Sequence, residues 1–453
     1  MTKLVEGSVR RHLLDLALPM TVGLLAMMSK NLVDTYFVAQ LGTAELSAIS
    51  FTFPIILLLM SVIIGLGAGS TSVVSRAAGE GETSQVQRRC TDALLLSVVL
   101  VSAAGLLGLV TCRPVFRLLG AEGEVLELVL AYMQPWYLGL VALICPMVGN
   151  GLLRANGEAR LPGVIMVCSA LLNAILDPLL IFGLLGLPRL GITGASLATV
   201  ISNVLTSGVV LWLLAARGLL TLSRPSWPEV KDSWRRIIVI ALPAAGANTV
   251  NPLGLTIVTG LLARLGPEIV AGFGVATRIE TLSAIMLFAL SASIGPLVGQ
   301  NYGAGRPERV GEGIKVGFQL CVVWGVASAL LVGLTAEYVV PLFDESTTVQ
   351  QVAVLYLWVV PITFGGYGMN IVQSAAFNAL GRPFFGTLMT LLRMMVYVPA
   401  AAILMHFLGA VGVFVGAGFG NLAGGAFAWM GYRWLTAQIR TKRQDPSGSA
   451  AAA

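Results

Sequence analysis

The chain has 453 residues, of which 56% are hydrophobic and only 11% are charged, and its formal net charge is +6. Together with a mean hydropathy of +0.86, this composition excludes a soluble globular protein of ordinary type and places the chain in a lipid bilayer. We therefore expect membrane helices to account for most of the sequence.

Twelve apolar stretches of about 20 residues or more follow one another, each long enough to cross about 30 Å of hydrocarbon as a helix. None keeps the two-residue alternation that marks a barrel strand, so the sequence predicts an all-α membrane protein. The predicted spans are 12–41, 45–75, 88–111, 125–150, 162–186, 190–216, 236–265, 268–300, 311–335, 350–377, 384–407 and 410–435.

The distribution of Lys and Arg predicts the orientation of these helices, because short basic loops remain in the cytoplasm. With the first terminus inside, 21 of the 28 basic residues fall in cytoplasmic segments, four fall outside and three fall within helices. Both termini are then cytoplasmic. Since this topology accounts for the positive net charge, we expect no nucleic-acid partner.

The second half of the chain repeats the first at a constant offset. The same shift along the chain takes Pro19 to Pro243 and Gly157 to Gly381, with no gap between them. Duplicated hydrophobic modules are a common plan of secondary transporters. The sequence thus predicts two pseudo-symmetric six-helix lobes. The expected segments are an N-lobe at 1–216, a cytoplasmic linker at 217–235, a C-lobe at 236–436 and a disordered tail at 437–453.

Three carboxylates lie at membrane depth, where an acid costs roughly 3 kcal/mol unless it faces water or a partner. At about 1.5 Å of rise per residue, Asp34 lies about 12 Å into the first span from its outer end, Asp177 about 15 Å into the fifth and Glu280 about 18 Å into the eighth. The sixth span reaches Thr199 at a depth similar to that of Asp177. Acids at such positions are candidates for a functional site.

Asn173 and Asp177 are four residues apart and therefore share one face of the fifth span. Pro178 follows directly and cannot donate a backbone hydrogen bond, so the carbonyl of Ala174 is freed. Carboxylate, amide, hydroxyl and carbonyl oxygens are the groups that bind a hard cation or exchange a proton. The alternative is that Asp34 and Asp177 only hold helices together through hydrogen bonds.

The second half keeps the scaffold of the first half but not its acids. In the repeat, the positions of the two first-half aspartates carry Val258 and Ala401. Coupling chemistry is therefore expected in the first half. Glu280 is the exception, with two interpretations: it forms a structural pair with Arg393 of the eleventh span, or it takes part in ion coupling.

Five short motifs, spread over nearly the whole chain, resemble the multidrug and toxic compound extrusion (MATE) family of the MOP superfamily. They are Asn31-Leu-Val-Asp34-Thr35, Asn173-Ala-Ile-Leu-Asp177-Pro178, Gly194-Ala-Ser-Leu-Ala-Thr199, Arg278-Ile-Glu280 and Val298-Gly-Gln-Asn301. The resemblance implies twelve spans in two lobes, an outward-facing V-shaped cavity, and export of organic compounds driven by entry of Na⁺ or H⁺. Within the family, the pattern is similar to the branch typified by the DNA-damage-inducible F (DinF) transporter, because the seventh and tenth spans carry no acids.

The resemblance also assigns residues to sites. The family's cation site falls on Asp34, Asn173, Asp177 and Thr199, which the depth argument had already selected. These residues would hold the transported H⁺ or Na⁺, and no other metal and no cofactor is expected. The substrate cavity is assigned to Tyr132, Asn150, Met166, Met27, Gln134 and Tyr137. Independently of the resemblance, Glu280 and Arg393 remain the candidates in the second lobe.

One position departs from the family pattern. The residue one helical turn before Asp34 is usually uncharged in related proteins but is Lys30 here. The two residues are spaced to pair directly, and a resident ammonium would favour ionised Asp34 and oppose a bound Na⁺. We therefore expect proton coupling, and Lys30 also makes simple organic cations less favoured as substrates. The alternative is that Lys30 extends into water-filled space and has little effect.

These features predict a multi-pass antiporter of a bacterial or archaeal inner membrane that exports amphiphilic or cationic organic compounds. Protonation of Asp34 and Asp177 would let the first span bend within 19–23 and shrink the cavity. We expect a monomer that contacts small-molecule substrates and membrane lipid and is not an enzyme. The alternative is a flippase for lipids or lipid-linked oligosaccharides. The basic residues Lys30, Arg278 and Arg393 support this alternative, because basic residues hold pyrophosphate.

Overall fold

The computed structural model describes residues 4–223 and 226–444, with side chains described up to residue 438, and these residues are almost entirely helical. The predicted all-α fold is confirmed. The helices are α1 Val9–Ala39, α2 Thr43–Glu80, α3 Thr83–Leu118, α4 Gly123–Leu138, α5 Leu140–Ala155, α6 Arg160–Phe182, α7 Ile192–Ala216, α8 Trp227–Ala263, α9 Pro267–Gly303, α10 Pro307–Val339, α11 Thr347–Val359, α12 Phe364–Ala379, α13 Pro383–Leu408 and α14 Ala410–Gln444. Three short 3₁₀ turns lie at Leu184–Gly186, Val340–Leu342 and Pro361–Thr363.

Eleven helical segments of the described chain are long and apolar enough to cross a membrane unaided. The twelfth span is the pair α4 and α5, whose axes meet at 50°. The break falls at Gly139, where an added Cβ would collide with Val200 of α7. The twelve predicted spans are therefore found, with the fourth bent where glycine lets a neighbouring helix approach.

Several helices begin with proline, in keeping with short loops. Pro267, Pro307 and Pro383 each lie in the first turn of their helix, where the missing N–H has no helical partner to lose. Gly305 and Gly381 end the preceding segments with φ of 67° and 73°. Glycine adopts this left-handed conformation without a steric penalty, so these loops turn within a few residues.

The connection between the two halves is more helical than expected. α8 begins at Trp227, so part of the predicted linker 217–235 belongs to its first turns. Pro228 falls in the first turn, where proline fits a helix. Trp234 then donates from Nε1 to the backbone carbonyl of Asp92 at 3.2 Å, which holds this end of α8 against α3.

Two predicted segments fall partly beyond the structure. Residues 224–225 of the linker and 445–453 of the tail lie outside the described residues. The tail was expected from residue 437, but α14 continues to Gln444. Its last turns are rich in Ala, Gln, Arg and Lys, which have high helix propensity, and a polar composition alone does not end a helix.

The chain divides into two compact units. The C-terminal unit comprises the residues up to Leu18, the short segment Gly79–Gly81 and the residues from Gly246 onward, and the N-terminal unit comprises Pro19–Ala78 and Glu82–Ala245. The boundaries thus fall inside α1 and α8, close to the repeat-related residues Pro19 and Pro243. The lobe limits derived from the repeat, at 216 and 236, stay predictions.

Close packing of α1 on α6 positions the candidate site of the N-terminal unit. A Cβ added to Gly163 would lie 2.6 Å from the carbonyl oxygen of Pro19, and one added to Gly23 would lie 3.0 Å from Sδ of Met166. Small residues at such crossings let membrane helices approach closely. One face of α1 is therefore held against α6 along the turns that lead to Asp34.

Candidate functional site

The four residues predicted to form the cation site come together inside the N-terminal unit. α1 contributes Asp34, α6 contributes Asn173 and Asp177, and α7 contributes Thr199. The amide of Asn173 lies 3.5 Å from Oδ1 of Asp177 and 3.4 Å from Oγ1 of Thr199. The structure therefore places these oxygens in one cluster, although their role in coupling is not tested by their position.

The orientation of the Asn173 amide follows from its neighbours. Only with its nitrogen towards α1 does each amide atom meet a complementary group. The nitrogen then donates to Oδ1 of Asp34 at 2.7 Å, and the oxygen accepts from the backbone N–H of Thr199 at 3.3 Å. Asn173 thus bridges α1 and α7 from α6.

The two carboxyl groups of this cluster are close neighbours. The side chains of Asp34 and Asp177 interact electrostatically, and two neighbouring carboxyl groups favour a state in which one of them holds a proton. Asn173 and Asp177 have no exposed surface, whereas Asp34 is half-buried. Within the described residues no group of three or more His, Cys, Asp or Glu is placed to hold a metal ion.

Lys30 lies beside the acid pair. Its side chain is 7% exposed, and Asp34 and Asp177 are its main electrostatic neighbours. No direct ion pair joins it to either acid in the described structure, so the charges act over a longer distance than the predicted i,i+4 contact. The buried position also differs from that of a side chain extended into water.

Three residues assigned to the substrate cavity are at least partly buried in the N-terminal unit. Tyr132 of α4 is an electrostatic neighbour of both Asp34 and Asp177. Asn150 of α5 is 6% exposed, and its Oδ1 has no hydrogen-bond partner among the described residues. Met166 of α6 packs against α1, as described above. Their contact with a substrate stays a prediction.

The other cavity candidates occupy different surroundings. Met27 is half-buried on α1, and Gln134 is exposed on α4. Tyr137 is buried, with its ring against Gly108 of α3 at the place where a Cβ would otherwise sit. Helix packing therefore accounts for Tyr137 without a substrate.

In the C-terminal unit the expected pair between Glu280 and Arg393 is not formed. Glu280 of α9 accepts a hydrogen bond from the hydroxyl of Tyr356 of α11. Arg393 of α13 instead donates from Nη1 to Asn421 at 3.1 Å and from Nη2 to Asn251 at 2.7 Å. The structural-pair interpretation is wrong, because Glu280 and Arg393 form hydrogen bonds with side chains of three other helices instead.

Sequence reasoning missed the partners that surround Glu280 and Arg393. Tyr367 lies under the guanidinium of Arg393, with 4.9 Å between the carbon of that group and the ring centre. One of these partners could have been found from the sequence, because Tyr356 is the counterpart of the cavity candidate Tyr132 in the internal repeat. The repeat therefore pointed to a second polar site in the C-terminal half.

Comparison with known proteins identifies the family. The MatE family model matches residues 19–179 and 243–403, and both ends of the second match are related to those of the first by the offset of the repeat. The chain belongs to the MatE family. The matched ranges also confirm the internal repeat.

Relatives of this MatE protein extend over nearly its whole length. It is 35% identical to a Shewanella oneidensis protein named FAD transporter over 92% of this chain and 93% of that protein. It is 24% identical to the probable multidrug resistance protein NorM of Thermotoga maritima, over 90% and 89% of the two chains. The structure of the Vibrio cholerae MATE transporter VcmN in its bent form matches with a TM-score of 0.90 at 29% identity, covering 95% and 97%.

MatE membership confirms the coarse function. Its relatives are multi-pass transporters of small molecules, and the named organisms are bacteria, so the predictions of a transporter and of an inner-membrane location are confirmed. The DinF-like branch, the coupling ion and the orientation of the termini stay predictions.

Proposed function

We propose that this MatE protein is a proton-coupled antiporter that exports amphiphilic or cationic organic compounds across the inner membrane. The observation that carries the proposal is the hydrogen-bonded cluster of Asp34, Asp177 and Asn173 inside the N-terminal unit. Two acids that lie close together, one of them fully buried, form a site whose net charge changes by one when a proton enters or leaves.

The geometry supports a link between protonation and movement of α1. When Asp34 is ionised it accepts the hydrogen bond from Asn173 and thereby ties α1 to α6. A proton arriving on Asp34 weakens this charge-assisted bond, which is roughly twice as strong as a neutral one. The part of α1 that follows Pro19 is then free to bend, and the cavity of the N-terminal unit shrinks and releases its substrate.

Lys30 favours H⁺ over Na⁺ as the coupling ion. A cation at the acid pair would sit near the buried ammonium, and the repulsion between two unit charges is largest where water is scarce. A proton that neutralises one carboxyl group adds no second ion to the site. The proposed coupling therefore rests on the position of Lys30 beside both acids.

Transport by purified protein in liposomes tests the proposal. We expect an imposed pH gradient to drive efflux of rhodamine-type dyes, and Asp34→Asn and Asp177→Asn to abolish the response. Asp15→Asn is the matched control, because Asp15 lies on the same helix but is exposed and pairs with Arg11. Full pH-driven efflux by both cluster variants, or a response to a Na⁺ gradient alone, would refute proton coupling at this site.

A second candidate function is export of flavin adenine dinucleotide (FAD). The relative named FAD transporter is 35% identical over 92% of this chain, and two buried cations, Lys30 and Arg393, suit an anionic cargo better than a cationic one. The same liposomes loaded with FAD distinguish the two candidates. Gradient-driven FAD release without dye release would select the second, and a fluorescent phospholipid in the same vesicles tests the flippase alternative.

A further inference from the structure

The guanidinium of Arg393 is a buried charge held by neutral groups. Its side chain is 7% exposed, and its hydrogen bonds go to the amide oxygens of Asn421 and Asn251. Within the described chain no carboxylate pairs directly with it, although Glu280 is an electrostatic neighbour. A cation at membrane depth without a paired anion is costly and is retained where it has a function.

Hydrogen-bonding atoms next to Arg393 also lack partners. Among the described residues Nε of Arg393 and Oδ1 of Asn370 are buried without a hydrogen bond. Asn370 and Arg393 flank the same turn of α14, since Asn370 donates to the carbonyl of Gly424 at 3.4 Å and a Cβ on Gly424 would lie 3.0 Å from Cδ of Arg393. A buried polar atom without a hydrogen bond is destabilising, and a bound ligand or an ordered water would supply the missing partners here.

The internal repeat relates this cluster to the predicted substrate cavity and cation site of the N-terminal half. Tyr356 corresponds to Tyr132 and Tyr397 to Asn173, and Asn251 corresponds to a cavity candidate of α1. Tyr397 is an electrostatic neighbour of both Arg393 and Glu280. The two halves thus present polar clusters at equivalent places, one with two acids and one organised around an arginine.

We propose that the Arg393 cluster binds an anionic oxygen group, a phosphate or a carboxylate, on the transported compound. The inference rests on the proposed transport function and narrows its substrates to amphiphilic compounds that carry an anionic group. A guanidinium binds such groups with two parallel hydrogen bonds in its plane. Tyr367 covers one face of Arg393, Asn251 and Asn421 fix its orientation, and Nε remains as a donor for the ligand.

Removing the charge of Glu280 should change anion binding in the direction opposite to removing the charge of Arg393. Glu280 is the acid that acts on Arg393 electrostatically, and its carboxyl group is held by Tyr356. An ionised Glu280 opposes an anionic ligand, so removing its charge strengthens binding while removing the charge of Arg393 weakens it. A purely structural role for either residue would not produce changes of opposite sign.

Binding of flavins to the purified full-length protein in lipid nanodiscs measures the effect through flavin fluorescence. Three flavins with the same ring system serve as ligands. Riboflavin is uncharged, flavin mononucleotide carries a phosphate, and 10-carboxymethylflavin carries a carboxylate. We expect the two anionic flavins to bind more tightly than riboflavin. Arg393→Gln should weaken binding of the anions at least about tenfold, because a charged hydrogen bond is lost. Glu280→Gln should strengthen their binding. Arg264→Gln, at an exposed position, is the control of equal charge change.

Asn251→Asp keeps the test decisive if Arg393→Gln does not fold. The new carboxylate would accept the existing 2.7 Å bond from Nη2 and neutralise Arg393 without breaking a contact. We expect a folded protein that binds the anions no better than riboflavin. If only one anion shows the preference, the oxyanion is identified as phosphate or as carboxylate.

The outcomes separate this inference from the proposed coupling, because binding is measured without a gradient. Equal binding of all three flavins, or no binding of either anionic flavin, would overturn the Arg393 site alone. A preference for anions that is retained in both Arg393→Gln and Asn251→Asp would do the same. Arg393-dependent binding without pH-driven export would overturn the proposed function and leave the site standing.

Discussion

The crossing of α1 and α6 offers a sharp test of how the candidate site is built. A Cβ on Gly163 would lie 2.6 Å from the carbonyl oxygen of Pro19 and 3.0 Å from its carbonyl carbon. Both atoms belong to the backbone, so Gly163→Ala forces the two helices apart. The affected turns lead directly to the segment of α1 that carries Asp34.

Two opposing effects set the change in the free energy of unfolding that Gly163→Ala causes. Overpacking of this kind costs about 1–3 kcal/mol, whereas replacing glycine by alanine within a helix gains about 0.5–1 kcal/mol. Gly208 of α7 isolates the second term, because a Cβ there meets nothing within 4 Å. We expect Gly163→Ala to lower the free energy of unfolding by roughly 0.5–2 kcal/mol and Gly208→Ala to raise it slightly.

Thermal unfolding of the two variants in the same detergent compares these effects. For a unit of this size, roughly 1 kcal/mol corresponds to about 2–4 °C in Tm. Gly163→Ala should therefore unfold several degrees below Gly208→Ala and show reduced pH-driven efflux, since α1 is displaced from α6. Equal Tm values for the two variants would show that the close contact between Gly163 and Pro19 does not hold these helices together.

Two further predictions concern the C-terminal unit. Tyr356→Phe keeps the aromatic packing but removes the donor to Glu280, so we expect about 1–3 kcal/mol of lost stability, measured as a lower Tm; an unchanged Tm would mean that this hydrogen bond contributes nothing. Arg309 donates to the carbonyls of Leu4 and Gly7 at 3.3 and 3.0 Å. Arg309→Ala should therefore speed hydrogen exchange in the N-terminal segment, and exchange as slow as in the wild type would contradict this role.

The periodic features of the sequence predicted the architecture because they depend on local and repeated properties. Apolar length alone indicates each span, and the constant offset of the repeat indicates two related halves. The boundaries were less accurate where polar residues continue a helix, as at Trp227 and Gln444. Nothing in the local composition distinguishes a polar loop from a polar helix that is held by a distant partner such as Asp92.

The N-terminal site was predictable for a related reason. Acids are rare at membrane depth, so Asp34 and Asp177 stand out by position alone, and Asn173 lies one turn from Asp177. The sequence could not show that Asn173 reaches α1 and α7 at once, because that depends on how closely three helices approach each other. Lys30 was noticed, but its burial beside both acids was not derivable.

The sequence by itself therefore determined the class of molecule, the number and order of its spans, and the residues whose charge has to be explained in a membrane. The tertiary structure alone decided the partners of those charges. Glu280 and Arg393 were the clearest case. The sequence suggested that they pair, yet Glu280 bonds to Tyr356 and Arg393 bonds to two asparagines. The physical reason is that membrane depth is a one-dimensional quantity, readable along the chain, whereas a hydrogen bond depends on the rotation and separation of helices.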